Sequence, residues 1–168
     1  MRALKNFFKI CFSLTLLSAL PVWAGAQAVG SATATIVTPI AIAPVQDLAF
    51  GKMSSNAGGS VSIDTSGVRS KQGTVILINT GSVQTEGRFN VTGDIGATYV
   101  ITLPSGPVVV TDSNAHRMDV NEFISNPSGS GMIGDGGETV HIGGTLVVAS
   151  DQVAGAYAGT YSVMVEYN

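Results

Sequence analysis

The sequence has 168 residues, among them 21 Gly, and a formal net charge of −3. It holds one Cys, so it can form neither an internal disulfide nor a zinc site built from several thiolates. The acidic balance excludes the basic stripe needed to bind nucleic acid, and no polybasic segment is available for anionic lipids.

Residues 1–26 have the three-part pattern of a secretory signal peptide. Three basic residues and no acid occupy the first nine positions, an apolar stretch runs from Ile10 to Leu20, and small residues around Ala24 and Ala26 offer cleavage frames. The apolar stretch is shorter than the roughly 20 residues that cross a bilayer, and an N-terminal membrane anchor is the alternative. We predict export, with no stable membrane insertion after the signal is removed. The mature chain then lacks Cys and has a net charge of −6, because five basic residues remain against 11 acids.

Residues 27–45 are predicted to form an extended arm or first strand. Pro39 interrupts this stretch, and because proline cannot donate to a β-ladder, it indicates an edge strand, a bulge or a break. The even positions from 32 to 42 are mostly apolar, and they include Ala34, Ile36, Ile40 and Ile42.

Residues 46–168 are predicted to form one all-β domain. Apolar and polar residues alternate with period two, and no apolar pattern of helical spacing lasts three turns. Turn sequences such as Gly93-Asp94 separate the alternating stretches, an arrangement typical of a β-sandwich of about eight or nine short strands. The apolar run 75–78 predicts a strand covered on both faces. The predicted strands are 60–64, 74–79, 88–92, 98–103, 108–111, 116–123, 138–142, 145–149 and 160–167.

The last predicted strand runs to the end of the sequence. Its alternation places Tyr161, Val163, Val165 and Tyr167 on one face and polar residues or Met164 on the other. Chain ends usually fray, so a large aromatic residue in the penultimate position indicates a specific role.

This C-terminal pattern is similar to the signature of chaperone–usher pilins, in which Tyr is penultimate and Gly stands fourteenth from the end, as Tyr167 and Gly155 do here. The resemblance implies an immunoglobulin-like sandwich that lacks one strand and that first pairs with a periplasmic chaperone. A neighbouring subunit's N-terminal extension would later fill the gap by β-augmentation. The implied pairing residues are Gly155, Tyr161, Val163, Val165 and Tyr167, and the implied donor residues are Ala34, Ile36, Ile40 and Ile42.

More of the chain resembles a group of secreted bacterial domains of unknown function, kin to spore-coat-U and archaic fimbrial subunits. The motifs cover most of residues 35–168, and the Cys pair of many pilins is missing from them, which favours the unknown-function group. In order, the motifs are Asp47-Leu48-Ala49-Phe50-Gly51, Phe89-Asn90-Val91-Thr92-Gly93, Gly143-Gly144-Thr145-Leu146 and Gly155-x-Tyr157-x-Gly159-x-Tyr161-x-Val163.

Motifs for catalysis, metals or cofactors are weak. His116 and His141 have no partner at metal-binding spacing, and the acids around His116 do not follow the order of a calcium loop. The G-x-G-x-x-G match at 129–134 lies between loop residues rather than between a strand and a helix. We predict no enzyme activity and no cofactor.

Two functions are compatible with these patterns. The first is an exported cell-surface structural or adhesive subunit, pilin-like, which assembles by donor-strand β-augmentation with a periplasmic chaperone and neighbouring subunits as partners. The alternative is a self-complete secreted β-sandwich that binds a glycan or another envelope protein.

Overall fold

The computed structural model describes residues 25–168, and the predicted signal peptide lies almost wholly outside them. This part of the chain contains 12 strands and no helix, and therefore no helix that could cross a membrane. The strands are β1 (Ala41–Gln46), β2 (Lys52–Ser54), β3 (Gly59–Ile63), β4 (Arg69–Gly73), β5 (Ile76–Ile78), β6 (Gly87–Thr92), β7 (Thr98–Thr102), β8 (Val108–Thr111), β9 (Arg117–Asn126), β10 (Ser130–Met132), β11 (Glu138–Val148) and β12 (Met164–Tyr167).

The chain divides into two units, one ending at Thr35 and one spanning Ile36–Asn168. In the first unit, residues 25–35 have no regular secondary structure and are exposed. All 12 strands belong to the second unit, and the last five residues of the predicted arm, from Ala41 onward, belong to strand β1 of the folded domain.

Strand β11 is the centre of a seven-stranded antiparallel sheet. Its first half pairs with β6 and its second half with β3, while β9 pairs with residues from His141 to Val147. His141 has partners in both β6 and β9, and Thr145 has partners in both β3 and β9. Therefore β6 and β3 follow one another along one edge of β11, and β9 occupies the opposite edge. β1 extends the sheet beyond β6, β4 beyond β3, and β8 beyond β9.

Two smaller sheets cover one face of this large sheet. The three-stranded sheet β10-β7-β12 packs on the end formed by β6 and the first half of β11, and it supplies Tyr99, Ile101 and Val165 to a shared apolar cluster. The β2–β5 pair covers the other end, where Met53 and Leu77 pack on a second cluster. Each fully buried aliphatic side chain stabilises the fold by about 1.5–3 kcal/mol. The large sheet contributes Val91, Val140 and Ile142 to the first cluster, and Val61, Met118, Val120, Leu146 and Val148 to the second.

The strand order is that of an immunoglobulin-like sandwich. Such a sandwich has one sheet in the order A-B-E-D and a second sheet that contains C, F and G. Here β1-β6-β11-β9 has the first order, and β7 pairs with β12 as C pairs with F. The predicted all-β sandwich is therefore confirmed.

Several details differ from the predicted strands. β2, β4 and β10 were not predicted. β2 and β10 have only three residues each, and the inward positions of β4 hold Arg69 and Lys71 instead of apolar residues. β11 runs through Gly143 and Gly144 without interruption, since both glycines stand opposite neighbouring strands rather than in a turn. The prediction that strand 75–78 is covered on both faces is wrong, because Ile76 is 52% and Ile78 40% exposed. β5 pairs only with β2 and so has one buried face.

Candidate functional site: the open edge of the last strand

The alternation predicted for the last strand is present. Val165 is buried, Tyr161, Val163 and Tyr167 are half-buried, and the residues between them are exposed. All four inward side chains belong to the first apolar cluster. Only residues 164–167 pair with β7, so residues 160–163 continue the alternation without a strand partner among the described residues.

The hydrogen bonds of β7 show which edge of β12 is unpaired. The Ile101 N–H donates to Gly129 O at 2.9 Å, on the β10 side of β7. Because the Ile101 N–H points toward β10, it does not bond to β12, and Ile101 and Val165 form a non-hydrogen-bonded pair of the ladder. In such a pair the Val165 N–H and C=O point away from β7. By the same alternation, the backbone groups of Val163 and Tyr161 point to this outer edge. Among residues 25–168, no strand pairs with that edge.

Tyr161 stands at the start of this segment within a group of aromatic residues. Its ring stacks on Phe123 with centroids 5.3 Å apart and meets Phe89 edge to face at 6.0 Å. Its hydroxyl lies over Gly87, where an added Cβ would approach the oxygen to 2.1 Å. Burial, with the Asp47 charge as a smaller cause, raises the pKa of Tyr161 to about 12. The Tyr161 side chain is therefore neutral and contributes mainly apolar surface to the first cluster.

Tyr167 fixes the other end of the strand. Its hydroxyl accepts a hydrogen bond from the Asp94 N–H at 2.7 Å and donates one to Thr38 O at 2.5 Å. Gly93 leaves room for this group, because an added Cβ would lie 2.4 Å from the Tyr167 oxygen. The penultimate Tyr thus ties the end of the chain to the residues just before β1.

Gly155 lies away from the other predicted pairing residues. An added Cβ there would be 3.1 Å from Asp112 Oδ2, in the segment that crosses β8 through the backbone pair Thr111–Ala158. The Asp112 carboxylate accepts a hydrogen bond from the His116 ring at 2.8 Å, and this bond is the main cause of the lowered pKa of Asp112. The structure therefore places Gly155 beside β8 and not in the pairing strand.

The predicted donor residues fall into two groups. Ala34 and Ile36 are exposed, and Ile36 keeps 97% of its surface accessible. Ile40 and Ile42 instead pack against the first cluster of their own domain, and Ile42 pairs with Val91 of β6. The four side chains do not form one continuous exposed strand, and Pro39 stands between the two groups.

The described residues hold no group of three or more His, Cys, Asp and Glu side chains placed to bind a metal ion. His116 pairs with Asp112, and His141 lies 3.4 Å from Glu86 on the outer face of the large sheet. Neither His lies on the inner face of β12. The chemistry that the edge of β12 offers is therefore backbone hydrogen bonding beside an apolar surface.

Residues 40–167 match a protein family that is described as a domain of unknown function, DUF4402. The chain belongs to this DUF4402 family. The match begins next to β1 and ends at the last residue of β12, so the family domain and the folded unit nearly coincide. Searches of curated proteins and of solved structures gave no significant match. The predicted membership of an unknown-function domain family is thereby confirmed.

The sequence did not reveal which residues support this edge in the DUF4402 domain. Phe89 and Gly93 were noted only as parts of a motif, and the structure places them under Tyr161 and Tyr167 respectively. Phe123 and Leu103, which also pack on the cluster, come from distant strands and loops. No local pattern links them to the C-terminus, because their contact arises only when the two sheets stack.

Proposed function

We propose that this chain is an exported subunit of a bacterial cell-surface structure, structural or adhesive, and that it assembles by β-augmentation at the outer edge of β12. The observation that carries the proposal is the strand order. The equivalents of A, B, E, D, C and F are present, and among the described residues no strand pairs with the outer edge of β12, where G would pair. An extended peptide added there would gain main-chain hydrogen bonds and apolar contacts at alternate positions.

The donor in this proposal is the exposed segment 27–37 of a neighbouring subunit. It carries Ala34 and Ile36 at alternating positions and has no regular structure of its own. Ile40 and Ile42 are excluded from the donor because they already stabilise the domain in which they occur. The donor is thus shorter than the arm 27–45 that the sequence indicates.

A periplasmic chaperone fits the proposal as an earlier partner. An open strand edge beside an apolar face is prone to pair with other chains, and a chaperone bound there before assembly would cover it. Kinship with spore-coat-U and chaperone–usher fimbrial subunits is part of the same proposal, and it is supported by the C-terminal Tyr167 and the motifs around Phe50, Gly93 and Gly143.

The test compares proteins spanning residues 27–168 and 38–168 by size-exclusion chromatography with light scattering. We expect the longer protein to oligomerise and the shorter one to remain a folded monomer, because Thr38 and β1 are retained. A matched control keeps the length of the arm but carries Ala34→Ser and Ile36→Ser, and we expect it to assemble poorly. If all three proteins have the same oligomeric state, strand exchange through this arm is wrong.

A second candidate is a self-complete secreted module that binds a glycan or another envelope protein. The packing of Ile40 and Ile42 in their own domain favours it, because β1 completes the A-B-E-D sheet without a partner. A protein spanning 27–168 that is stable and monomeric at all concentrations would support this candidate over the first.

A further inference from the structure

A cleft of about 160 Å³ opens on the outer face of the large sheet, opposite the two apolar clusters. It lies between β3, the start of β4, the middle of β9 and the glycine pair of β11. Its lining combines two carboxylates, three hydroxyls, three aliphatic residues and one glycine. These are Asp64, Glu122, Ser62, Ser70, Thr145, Ile63, Val68, Ile124 and Gly144.

A β-bulge in β9 directs the side chain of Glu122 into this cleft. Asn121 pairs with Thr145 and Ile124 pairs with Gly143, so Glu122 and Phe123 together stand opposite Gly144 alone. Glu122 adopts a φ of 50°, a left-handed conformation that is unfavourable for a residue with a side chain. As a result Asn121 and Glu122, although adjacent in sequence, both lie on the outer side, while Phe123 turns into the core.

One hydrogen bond joins two of the polar side chains that line the cleft. Ser62 Oγ and Thr145 Oγ1 are hydrogen-bonded at 2.9 Å across β3 and β11, and Ser70 stands opposite Ser62 on β4. Asp64 Oδ1 accepts the N–H groups of Ser66 and Val68, and no protein group among the described residues hydrogen-bonds its other oxygen. Next to the cleft, Asn121 Oδ1 is enclosed and has no hydrogen-bond partner within residues 25–168.

The apolar groups form the rim of the same cleft. Val68 is 61% exposed and Ile124 49% exposed, with the carboxylates and hydroxyls between them. No Lys or Arg is among the residues that line the cleft. A neutral ligand with several hydroxyl groups and a C–H face would complement these carboxylate acceptors and aliphatic side chains.

We propose that this cleft binds a neutral sugar residue, with Glu122 as its main hydrogen-bond acceptor. A carboxylate accepts two sugar hydroxyls in bidentate fashion and forms stronger hydrogen bonds than a neutral group does. Ser62, Ser70 and Thr145 add donors, and Val68 and Ile124 cover the C–H face. The site is separate from the edge of β12 and does not depend on strand exchange.

The test is an NMR titration of the protein spanning 38–168 with glucose, galactose, mannose and N-acetylglucosamine, with sialic acid as an anionic control. A shallow cleft of this size corresponds to dissociation constants of roughly 1–10 mM for a single sugar. We expect saturable shifts of the amides of Ser62, Glu122 and Thr145 with at least one neutral sugar, and none with sialic acid. Absence of shifts up to about 100 mM sugar, ten times the upper end of that range, would overturn the proposal.

Three variants make the test specific. Glu122→Gly removes the carboxylate and the strained conformation together, so it should weaken sugar binding about tenfold or more while raising the urea midpoint of unfolding. Glu122→Gln keeps the shape and removes the charge, and we expect an intermediate loss of affinity. Asp119→Asn removes a carboxylate from the same face outside the cleft, and affinity should not change. Equal affinity in Glu122→Gly and in the unmodified protein would contradict the assignment.

Discussion

The buried Tyr99 and the half-buried Tyr161 have raised pKa values, which make the stability of this domain sensitive to alkaline pH. Tyr99 is fully buried between the two sheets, Gly131 of β10 lies against its ring, and its hydroxyl has no hydrogen-bond partner within residues 25–168. Burial, and to a smaller degree the charge of Glu138, raises the pKa of Tyr99 to about 12. The unfolded chain releases this proton near pH 10, so the folded state holds more protons between pH 10 and 12. Stability is therefore complete below pH 10 and falls as the pH rises toward 12.

We predict that Tyr99→Phe removes part of this alkaline loss. The raised pKa of Tyr99 corresponds to at most about 3 kcal/mol at pH 12, and Tyr161 contributes a further share. At pH 7 the variant should be about 1 kcal/mol more stable, because it removes a buried hydroxyl that has no partner. Urea unfolding at pH 7, 9 and 11 measures both effects.

Tyr157→Phe is the matched control for that experiment. The Tyr157 hydroxyl accepts a hydrogen bond from Gln152 Nε2 and donates one to Val153 O, both at 2.7 Å. Its removal should lower stability at pH 7, in contrast to Tyr99→Phe. If both variants are destabilised equally, the hydroxyl of Tyr99 has a partner that the packing does not reveal.

The adjacent glycines of β11 are predicted to differ in their tolerance of Ala. A Cβ on Gly143 would lie 2.5 Å from Ile63 O, a backbone atom of the neighbouring strand, whereas a Cβ on Gly144 would meet only side chains at 3.5 Å. We expect Gly143→Ala to cost about 1–3 kcal/mol of unfolding free energy, and Gly144→Ala to be neutral or to stabilise by up to about 1 kcal/mol. Urea denaturation compares the two, and similar losses in both would show that the close approach at Gly143 is relieved by backbone movement.

At the scale of elements, Arg69 attaches the β2–β5 pair to the large sheet. It lies on edge strand β4, and its guanidinium donates to Phe50 O at 3.0 Å and to Asn79 Oδ1 at 2.7 Å, with further bonds to Lys52 O and Ile78 O. Charged residues that point inward from an edge strand also oppose pairing with other chains. One side chain therefore places a charge on edge strand β4 and holds β2 and β5 over the second cluster.

We predict that Arg69→Lys loosens β2 and β5 selectively. Lysine cannot reproduce the planar fork, so several bonds are lost, and the expected destabilisation is about 1–3 kcal/mol. Hydrogen exchange should accelerate at the amides of β2 and β5 and stay unchanged in β6 and β11. Arg117→Lys, on β9, is the control because the side chain of Arg117 makes no hydrogen bond to other described residues. Uniform acceleration across all strands would contradict a local role.

The elements were predictable where alternation lasted for four or more residues. Strands β3, β6, β7, β8 and β9 lie close to their predicted positions. One face of each strand packs on an apolar cluster, and the alternation of apolar and polar residues in the sequence indicates that face directly. Strand β4 was not predicted, because its inward residues are Arg69 and Lys71 and therefore give no apolar alternation. The bulge at Glu122 also left no signal, since it is fixed by pairing with Gly143 and Thr145, about twenty residues away in the chain. The cleft could not be predicted for the same reason, because the residues that line it come from four separate segments of the chain.

At the scale of the whole molecule, the proposed donor and acceptor are different surfaces of one subunit. Segment 27–37 is the donor, and the outer edge of β12 is the acceptor, so the contact is heterologous. Heterologous contacts that do not close into a ring generate open chains. The proposed assembly should therefore lengthen with concentration rather than stop at a dimer.

A mixture of two variants, each lacking one surface, tests this arrangement. The protein spanning 38–168 keeps the acceptor edge and lacks the donor. Val163→Pro in the protein spanning 27–168 keeps the donor and loses an N–H that points to the outer edge. Because Val163 has no partner in β7, proline there leaves the β7–β12 ladder intact.

We expect each variant alone to be monomeric and an equimolar mixture to form a one-to-one heterodimer that cannot grow, since the only donor then meets the only intact acceptor. Light scattering after size-exclusion chromatography distinguishes the heterodimer from longer chains. Val163→Thr, which keeps both the N–H and the side-chain volume, should assemble like the unmodified protein. If the mixture forms chains longer than two subunits, the acceptor is not the outer edge of β12. If the mixture stays monomeric while the unmodified protein assembles, the donor lies outside 27–37.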